Sequence, residues 1–136
     1  TALSMGLVHD LGDLYIGDIS AVTRPVENQK HMDEERDVRR VLSLLPDSQR
    51  DDLLALWQEY NGNATAEARL VKALDKAETI LQHNQGKNPP DFDYGFNLEY
   101  GKPYCAFHPL LKELRSILEA QTAARIREGE SPEDEM

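Results

Sequence analysis

The stretch VHDLGDLYIGD, residues 8–18, places a histidine directly before an aspartate and then adds two further aspartates. Leucines lie on both sides of His9 and Asp10, so ionised carboxylates here would be costly to bury without a compensating positive charge. A divalent metal ion is a common compensation where an imidazole is the neighbour. The stretch therefore predicts a metal site, and Asp75, on a partly apolar segment farther along the chain, can complete it.

The composition favours a soluble protein with one folded domain. The chain has 136 residues, long enough to bury a sizeable core. No apolar run approaches the roughly 20 residues that span a bilayer, and no stretch resembles a secretory signal peptide. The single cysteine, Cys105, excludes an intramolecular disulfide and fits a reducing compartment. We therefore predict a cytoplasmic protein with no membrane partner.

The charge is unevenly distributed along the chain. The net charge is −10, and residues 128–136 carry five acidic side chains and no basic one. We predict a folded domain over residues 1–127 and an acidic, disordered tail over 128–136. The acidic balance disfavours binding to a nucleic-acid polymer, which needs clustered lysine and arginine. A small phosphorylated substrate held by a metal ion is compatible with it.

The spacing of apolar residues predicts an all-α fold, because no segment alternates between apolar and polar residues. Asp47 and Thr65 are predicted helix N-caps. Aromatic residues are expected to hold down the connection over residues 86–104. The core-facing residues of the fourth helix are predicted to be Leu70, Val71, Leu74, Ala77, Ile80 and Leu81. Helices are predicted over residues 2–16, 27–45, 47–60, 65–85 and from about residue 108.

On a continuous helix, His9 and Asp13 are four residues apart and Asp10 and Asp13 three apart, so the three side chains can converge. Asp75 follows Leu74 and is expected to be at least partly buried. Two helices of one bundle can thus present a histidine and several carboxylates to one ion. Taken alone, His9 and Asp10 could instead be a hydrogen-bonded core pair, and Asp75 could pair with a neighbouring lysine or arginine.

A series of motifs in fixed order resembles the HD-domain phosphohydrolases, in particular the branch similar to 5′-deoxynucleotidases. The resemblance covers roughly residues 4–85, and residues 86–118 are similar to a subset of that branch. The His-Asp doublet alone would be weak evidence, but the ordered set is specific. The motifs are His9-Asp10, Gly17-Asp18-Ile19, Lys30-His31 with Glu34-Glu35, Leu44-Leu45-Pro46, Leu56-Trp57-Gln58-Glu59-Tyr60 and Leu70-Val71-Lys72-Ala73-Leu74-Asp75-Lys76.

The resemblance implies an HD-domain helical bundle that holds a metal through His9, Asp10 and Asp75. The family's first histidine ligand would lie on a helix before Thr1, so the domain is expected to be N-terminally incomplete. The resemblance also associates Asp13, Asp18 and the Ile19 carbonyl with a second cation or with substrate. Asp13 stands where this branch usually has glutamate. Its side chain is one methylene shorter, so a water molecule between Asp13 and the cation would restore its reach.

The resemblance and the ligand types together predict hydrolysis of phosphate monoesters, most simply nucleoside 5′-monophosphates. Histidine and carboxylate ligands suit a divalent metal such as Mn, Co, Fe, Zn or Mg, without selecting one. Asp13 or Asp18 is the predicted general base or proton relay. Lys72 is either a contact to the substrate phosphate or a surface residue in a salt bridge.

Two other functional classes remain open from the sequence. Some HD-domain proteins bind two irons and use O₂, which would make this chain an oxygenase, although that chemistry needs more histidine ligands. A chain that had lost a ligand would instead be a non-catalytic binding or dimerisation module. A homodimer is compatible with the apolar helix faces.

Overall fold

The computed structural model describes residues 1–15, 17 and 27–130 of the chain. This part contains six α-helices and no strand, which confirms the all-α prediction. Short 3₁₀ turns lie at Leu11–Asp13 and Lys102–Cys105. The helices are α1 (Ala2–Val8), α2 (Glu27–Leu42), α3 (Asp47–Gly62), α4 (Ala66–Gln85), α5 (Phe96–Glu99) and α6 (Pro109–Glu130).

The first α-helix is shorter than predicted. The α-helical part ends at Val8, and the chain then enters the 3₁₀ turn, so the expectation of one helix over residues 2–16 is wrong. The ring of His9 donates from Nδ1 to the carbonyl oxygen of Gly6 at 2.7 Å, which satisfies an acceptor at the helix end. His9 therefore terminates α1 and is held at its C-terminus.

The termini of α3 and α4 follow local chemistry. The Thr65 hydroxyl accepts a hydrogen bond from the Ala68 N–H at 3.2 Å, as expected of an N-cap. Asn63 ends α3 in the left-handed conformation, with φ of 47°. Asp47 is not an N-cap: Pro46 holds that position, and Asp47 is the first helical residue.

The described residues divide into two compact units, with the boundary between Val71 and Lys72. In the first unit, α1 packs on α3, and α2 packs on α3 and on the first 3₁₀ turn. One buried cluster joins Met5, Tyr60, Ala68 and Val71. A second joins Val38, Leu42 and Trp57, with four partly buried leucines around it: Leu11, Leu45, Leu53 and Leu54.

In the second unit, α6 packs against α5 and the second 3₁₀ turn, and α4 contributes buried residues to both clusters. One cluster contains Ala73, Cys105 and Leu111, so Cys105 is a small packing residue as expected. The other contains Ala77, Ile80 and Leu118, with Leu81, Tyr100 and Leu114 packed against it.

Several predicted core leucines are exposed instead. Leu70 and Leu74 are 39% and 46% exposed, while Val71, Ala77 and Ile80 of the same helix are buried. On α1 the buried residues are Met5 and Val8, and Leu3 and Leu7 are more than four-fifths exposed. Helical spacing thus located α4 correctly but wrongly assigned Leu70 and Leu74 to the face that meets the core.

Polar contacts from α6 help to anchor the aromatic connection between α4 and α6. The Arg125 guanidinium donates to the Tyr94 hydroxyl at 2.8 Å and to the Gly86 carbonyl at 3.2 Å. The Asn84 amide donates to the Thr122 hydroxyl at 3.0 Å. Helix α6 continues to Glu130, and the proposed division of the chain after residue 127 stays a prediction.

No helix in residues 1–15, 17 and 27–130 combines the length and the apolar character needed to cross a bilayer.

Gly12 lets the first 3₁₀ turn lie directly on α2. A Cβ added to Gly12 would lie 2.8 Å from Cβ and 3.0 Å from Cγ of Glu34. The change Gly12→Ala is therefore expected to lower the free energy of unfolding by about 1–3 kcal/mol through overpacking, measured by denaturant titration. Gly6→Ala is the matched control, because a Cβ at Gly6 meets nothing within 4 Å. Equal stabilities of the two variants would contradict the expectation.

Candidate metal centre

His9 lies at the end of α1 with its ring orientation set by two contacts. Because the Gly6 carbonyl can only accept, the Nδ1 atom of His9 carries the proton of their 2.7 Å hydrogen bond. The ring also packs against Tyr60, with the ring centroids 5.0 Å apart. A backbone carbonyl that orients a histidine in this way is typical of metal-binding histidines.

The second ring nitrogen of His9 faces a carboxylate. His9 Nε2 lies 3.1 Å from Asp10 Oδ1. A neutral imidazole and an ionised carboxylate would bring two lone pairs together at this distance, so a proton or a cation must lie between them or beside both. Asp10 itself is largely exposed, with 69% of its side chain accessible. The pair thus places two potential ligand atoms 3.1 Å apart.

Asp75 lies on α4 and is partly buried, as expected from its neighbours. Its Oδ2 is 3.0 Å from Nζ of Lys76, and the two side chains are 23% and 12% exposed. Burial acts to lower the pKa of Lys76, but the Asp75 carboxylate and the Tyr100 hydroxyl outweigh it and hold that pKa above its ordinary value. The Lys76 ammonium therefore lies against one oxygen of the Asp75 carboxylate.

Among the residues that the structure describes, His9, Asp10 and Asp75 form a group that could hold a metal ion. One ligand atom from each lies within 4.8 Å of the other two. The donor set, an imidazole with an available nitrogen and two carboxylates, fits a divalent first-row metal. These are the three residues that the family resemblance assigned to the metal.

Of the other predicted site residues, the structure describes Asp13 and Lys72. Asp13 ends the first 3₁₀ turn, where its carbonyl accepts from the Gly17 N–H at 2.7 Å. It is therefore not four residues along one α-helix from His9, which removes the helical argument for their convergence. Lys72 lies half-buried on α4. Asp18 and Ile19 lie outside the described residues.

The pairing of Asp75 with Lys76 is the alternative that the sequence left open, in which Asp75 pairs with a neighbouring lysine or arginine. The sequence carried no signal that placed Tyr60 beside His9 or Tyr100 beside Lys76. The contact of Tyr60 with His9 joins α3 to the end of α1, so it depends on tertiary packing.

Comparison with known proteins supports the resemblance found in the sequence. A family model described as an HD domain matches residues 1–115. The chain is 33% identical over 123 residues to the protein named 5′-deoxynucleotidase HDDC2 of Homo sapiens, covering 90% of this chain and 60% of that protein. It is 33% identical over 122 residues to the Dictyostelium discoideum protein of the same name, covering 87% and 64%.

A fungal relative shows similar identity over a shorter region. The chain is 33% identical over 84 residues to the protein named 5′-deoxynucleotidase hdd1 of Schizosaccharomyces pombe, covering 59% of this chain and 42% of that protein. This chain therefore spans about three-fifths of the length of the curated animal relatives it matches.

Proposed function

We propose, from the premise that this chain belongs to the HD-domain family, that it is a metal-dependent phosphohydrolase acting on nucleoside 5′-monophosphates. The observation that carries the proposal is the convergence of His9, Asp10 and Asp75, since one ligand atom from each lies within 4.8 Å of the other two. The Nδ1 proton of His9 is committed to the Gly6 carbonyl, which leaves Nε2 directed at Asp10. An imidazole and two carboxylates are a donor set that suits a divalent first-row cation.

His9, Asp10 and Asp75 would hold the cation in this proposal. When bound, the cation supplies a nucleophilic water at neutral pH and polarises a phosphoryl oxygen. His9 and Asp10 come from the end of α1, and Asp75 comes from α4. The Gly6 carbonyl fixes the tautomer of His9, and Lys76 holds one oxygen of Asp75, so two ligands have a defined orientation before anything binds.

The remaining chemistry is proton transfer. Water attacks phosphorus, the bond from phosphorus to the 5′ oxygen breaks, and the leaving nucleoside oxygen gains a proton. A carboxylate must accept the proton lost by the water, and Asp13 and Asp18 stay our proposed candidates for that role. Lys72 stays a proposed contact to the substrate phosphate.

The proposed substrate class comes from the relatives. The proteins from Homo sapiens and Schizosaccharomyces pombe are both named 5′-deoxynucleotidases, so a deoxynucleoside 5′-monophosphate is the first substrate to test. The predicted homodimer and the cytoplasmic location stay predictions, which gel filtration with light scattering and cell fractionation would check.

The proposal is tested by phosphate release. Protein expressed from the complete reading frame is stripped with a chelator, reloaded with Mn²⁺ or Co²⁺ and assayed against ribo- and deoxynucleoside 5′-monophosphates. We expect activity that disappears on chelation, returns with the cation and is absent with nucleoside 3′-monophosphates. Failure to release phosphate from any 5′-monophosphate with either metal would contradict the proposal. Two irons per chain together with an oxidised product would instead support the oxygenase alternative.

A further inference from the structure

Lys76 forms an ion pair with Asp75, a proposed metal ligand, although the two residues are adjacent on α4. Adjacent residues on a helix point in directions about 100° apart, so their side chains do not normally meet. Here the ammonium of Lys76 nevertheless lies 3.0 Å from Oδ2 of Asp75. Something other than α4 must therefore direct the lysine side chain.

The segment before the second 3₁₀ turn holds Lys76 in place. Gly101 has φ of 67°, and a Cβ added to it would lie 2.5 Å from Cβ and 2.9 Å from Cγ of Lys76. The backbone at Gly101 therefore lies along the lysine stem. The Lys76 ammonium lies 5.4 Å from the Tyr100 ring centroid. Only 12% of the lysine side chain is exposed, so it cannot leave Asp75 without disturbing this packing.

The charge of Lys76 opposes that of a metal ion on the same carboxylate. Lysine is protonated at neutral pH. Two positive charges that share one carboxylate lie within the screening length of about 8 Å in physiological salt, and partial burial reduces screening further. Their repulsion weakens binding of a divalent cation. When no cation is bound, the same ammonium compensates Asp75 and stabilises the fold.

We propose that Lys76, held by Tyr100 and Gly101, is a built-in competitor that lowers the cation affinity of the site and stabilises the metal-free protein. The inference rests on the proposed metal site. As a consequence, occupancy of the metal site depends on the free cation concentration. The reason is that Lys76 already compensates the Asp75 carboxylate, which the cation must share.

The test is the affinity of the full-length protein for Mn²⁺, measured by calorimetry after chelator treatment. Lys76→Met keeps a stem that packs against Gly101 and removes the charge. We expect it to bind Mn²⁺ on the order of tenfold more tightly than the parent protein. Its metal-free form is expected to melt at a lower temperature, because Asp75 loses its counter-ion.

Two control variants separate the local charge from other effects. Lys76→Arg keeps the charge and is expected to bind Mn²⁺ within about twofold of the parent protein. Lys112→Met removes one charge from an exposed position on α6 and is expected to leave the affinity unchanged. If Lys76→Met fails to fold, Lys76→Gln makes the same change in charge with a polar side chain.

The outcomes distinguish this inference from the proposed function. The competitor role is overturned if the parent protein binds Mn²⁺ and the folded, uncharged Lys76 variant binds it equally or more weakly. That result would leave the proposed metal site unaffected. A parent protein that binds no Mn²⁺ overturns the metal site and this inference with it. Tighter binding by Lys112→Met as well would assign the effect to net charge and overturn the local role.

Discussion

Replacing Asp10 by asparagine is expected to lower kcat/KM for nucleoside 5′-monophosphates by at least about 10³-fold, which corresponds to about 4 kcal/mol of transition-state stabilisation. The neutral amide is a weak ligand, and it no longer offers a negative charge opposite Nε2 of His9. Because the Asp10 side chain is 69% exposed, its replacement is expected to change the melting temperature of the metal-free protein little. Phosphate release and calorimetric binding of Mn²⁺ measure the two effects.

The matched control is Asp51→Asn on α3. Asp51 is 73% exposed and pairs with Arg50 at 3.6 Å, a surface contact of small energetic value. This control is expected to retain full activity and metal binding. An Asp10→Asn variant that keeps both would exclude Asp10 from the metal site. A variant that keeps Mn²⁺ affinity but loses activity would place Asp10 in proton transfer or substrate binding instead.

Replacing Arg115 by methionine is expected to produce the largest loss of stability among these variants, about 2–5 kcal/mol. Arg115 is buried on α6, and its guanidinium donates to the carbonyls of Asn97 at 2.9 Å and Leu98 at 2.7 Å. It also donates to the Tyr100 carbonyl and to the Glu119 carboxylate. Methionine would leave these acceptors without the donor that satisfies the end of α5.

Denaturant titration and thermal melting measure this loss. Lys112→Met on the same helix is the control, since an exposed position is expected to change stability by no more than about 0.5 kcal/mol. Arg115→Lys keeps the charge, but lysine lacks the planar guanidinium that donates to several carbonyls at once. An intermediate loss of stability is therefore expected. An Arg115→Met variant as stable as the control would show that the α5 carbonyls need no partner from α6.

Most of the helices could be predicted from the sequence because their signals are local. The Thr65 hydroxyl caps α4, Asn63 ends α3, and the His108 ring accepts the Leu110 N–H at the start of α6. Each of these features depends on residues a few positions apart. The end of α1 was missed because the 3₁₀ turn that follows it packs closely on α2, where Gly12 approaches Glu34, and this contact is distant in sequence.

The chemical types of the proposed metal ligands follow from the sequence alone. His9, Asp10 and Asp75 are identifiable from the ordered motifs of the family, because ligand chemistry resides in side-chain identity. The all-α class also follows from the sequence, because the helical spacing of apolar residues is a local pattern.

Only the tertiary structure decided how those ligands are oriented. The tautomer of His9, its packing on Tyr60, and the lysine that shares Asp75 all depend on contacts that the chain acquires on folding. Helical spacing likewise could not decide that Met5 is buried and Leu7 exposed, since both stripes of α1 are apolar. The physical reason is that orientation and burial are properties of the neighbours in space, which local sequence does not specify.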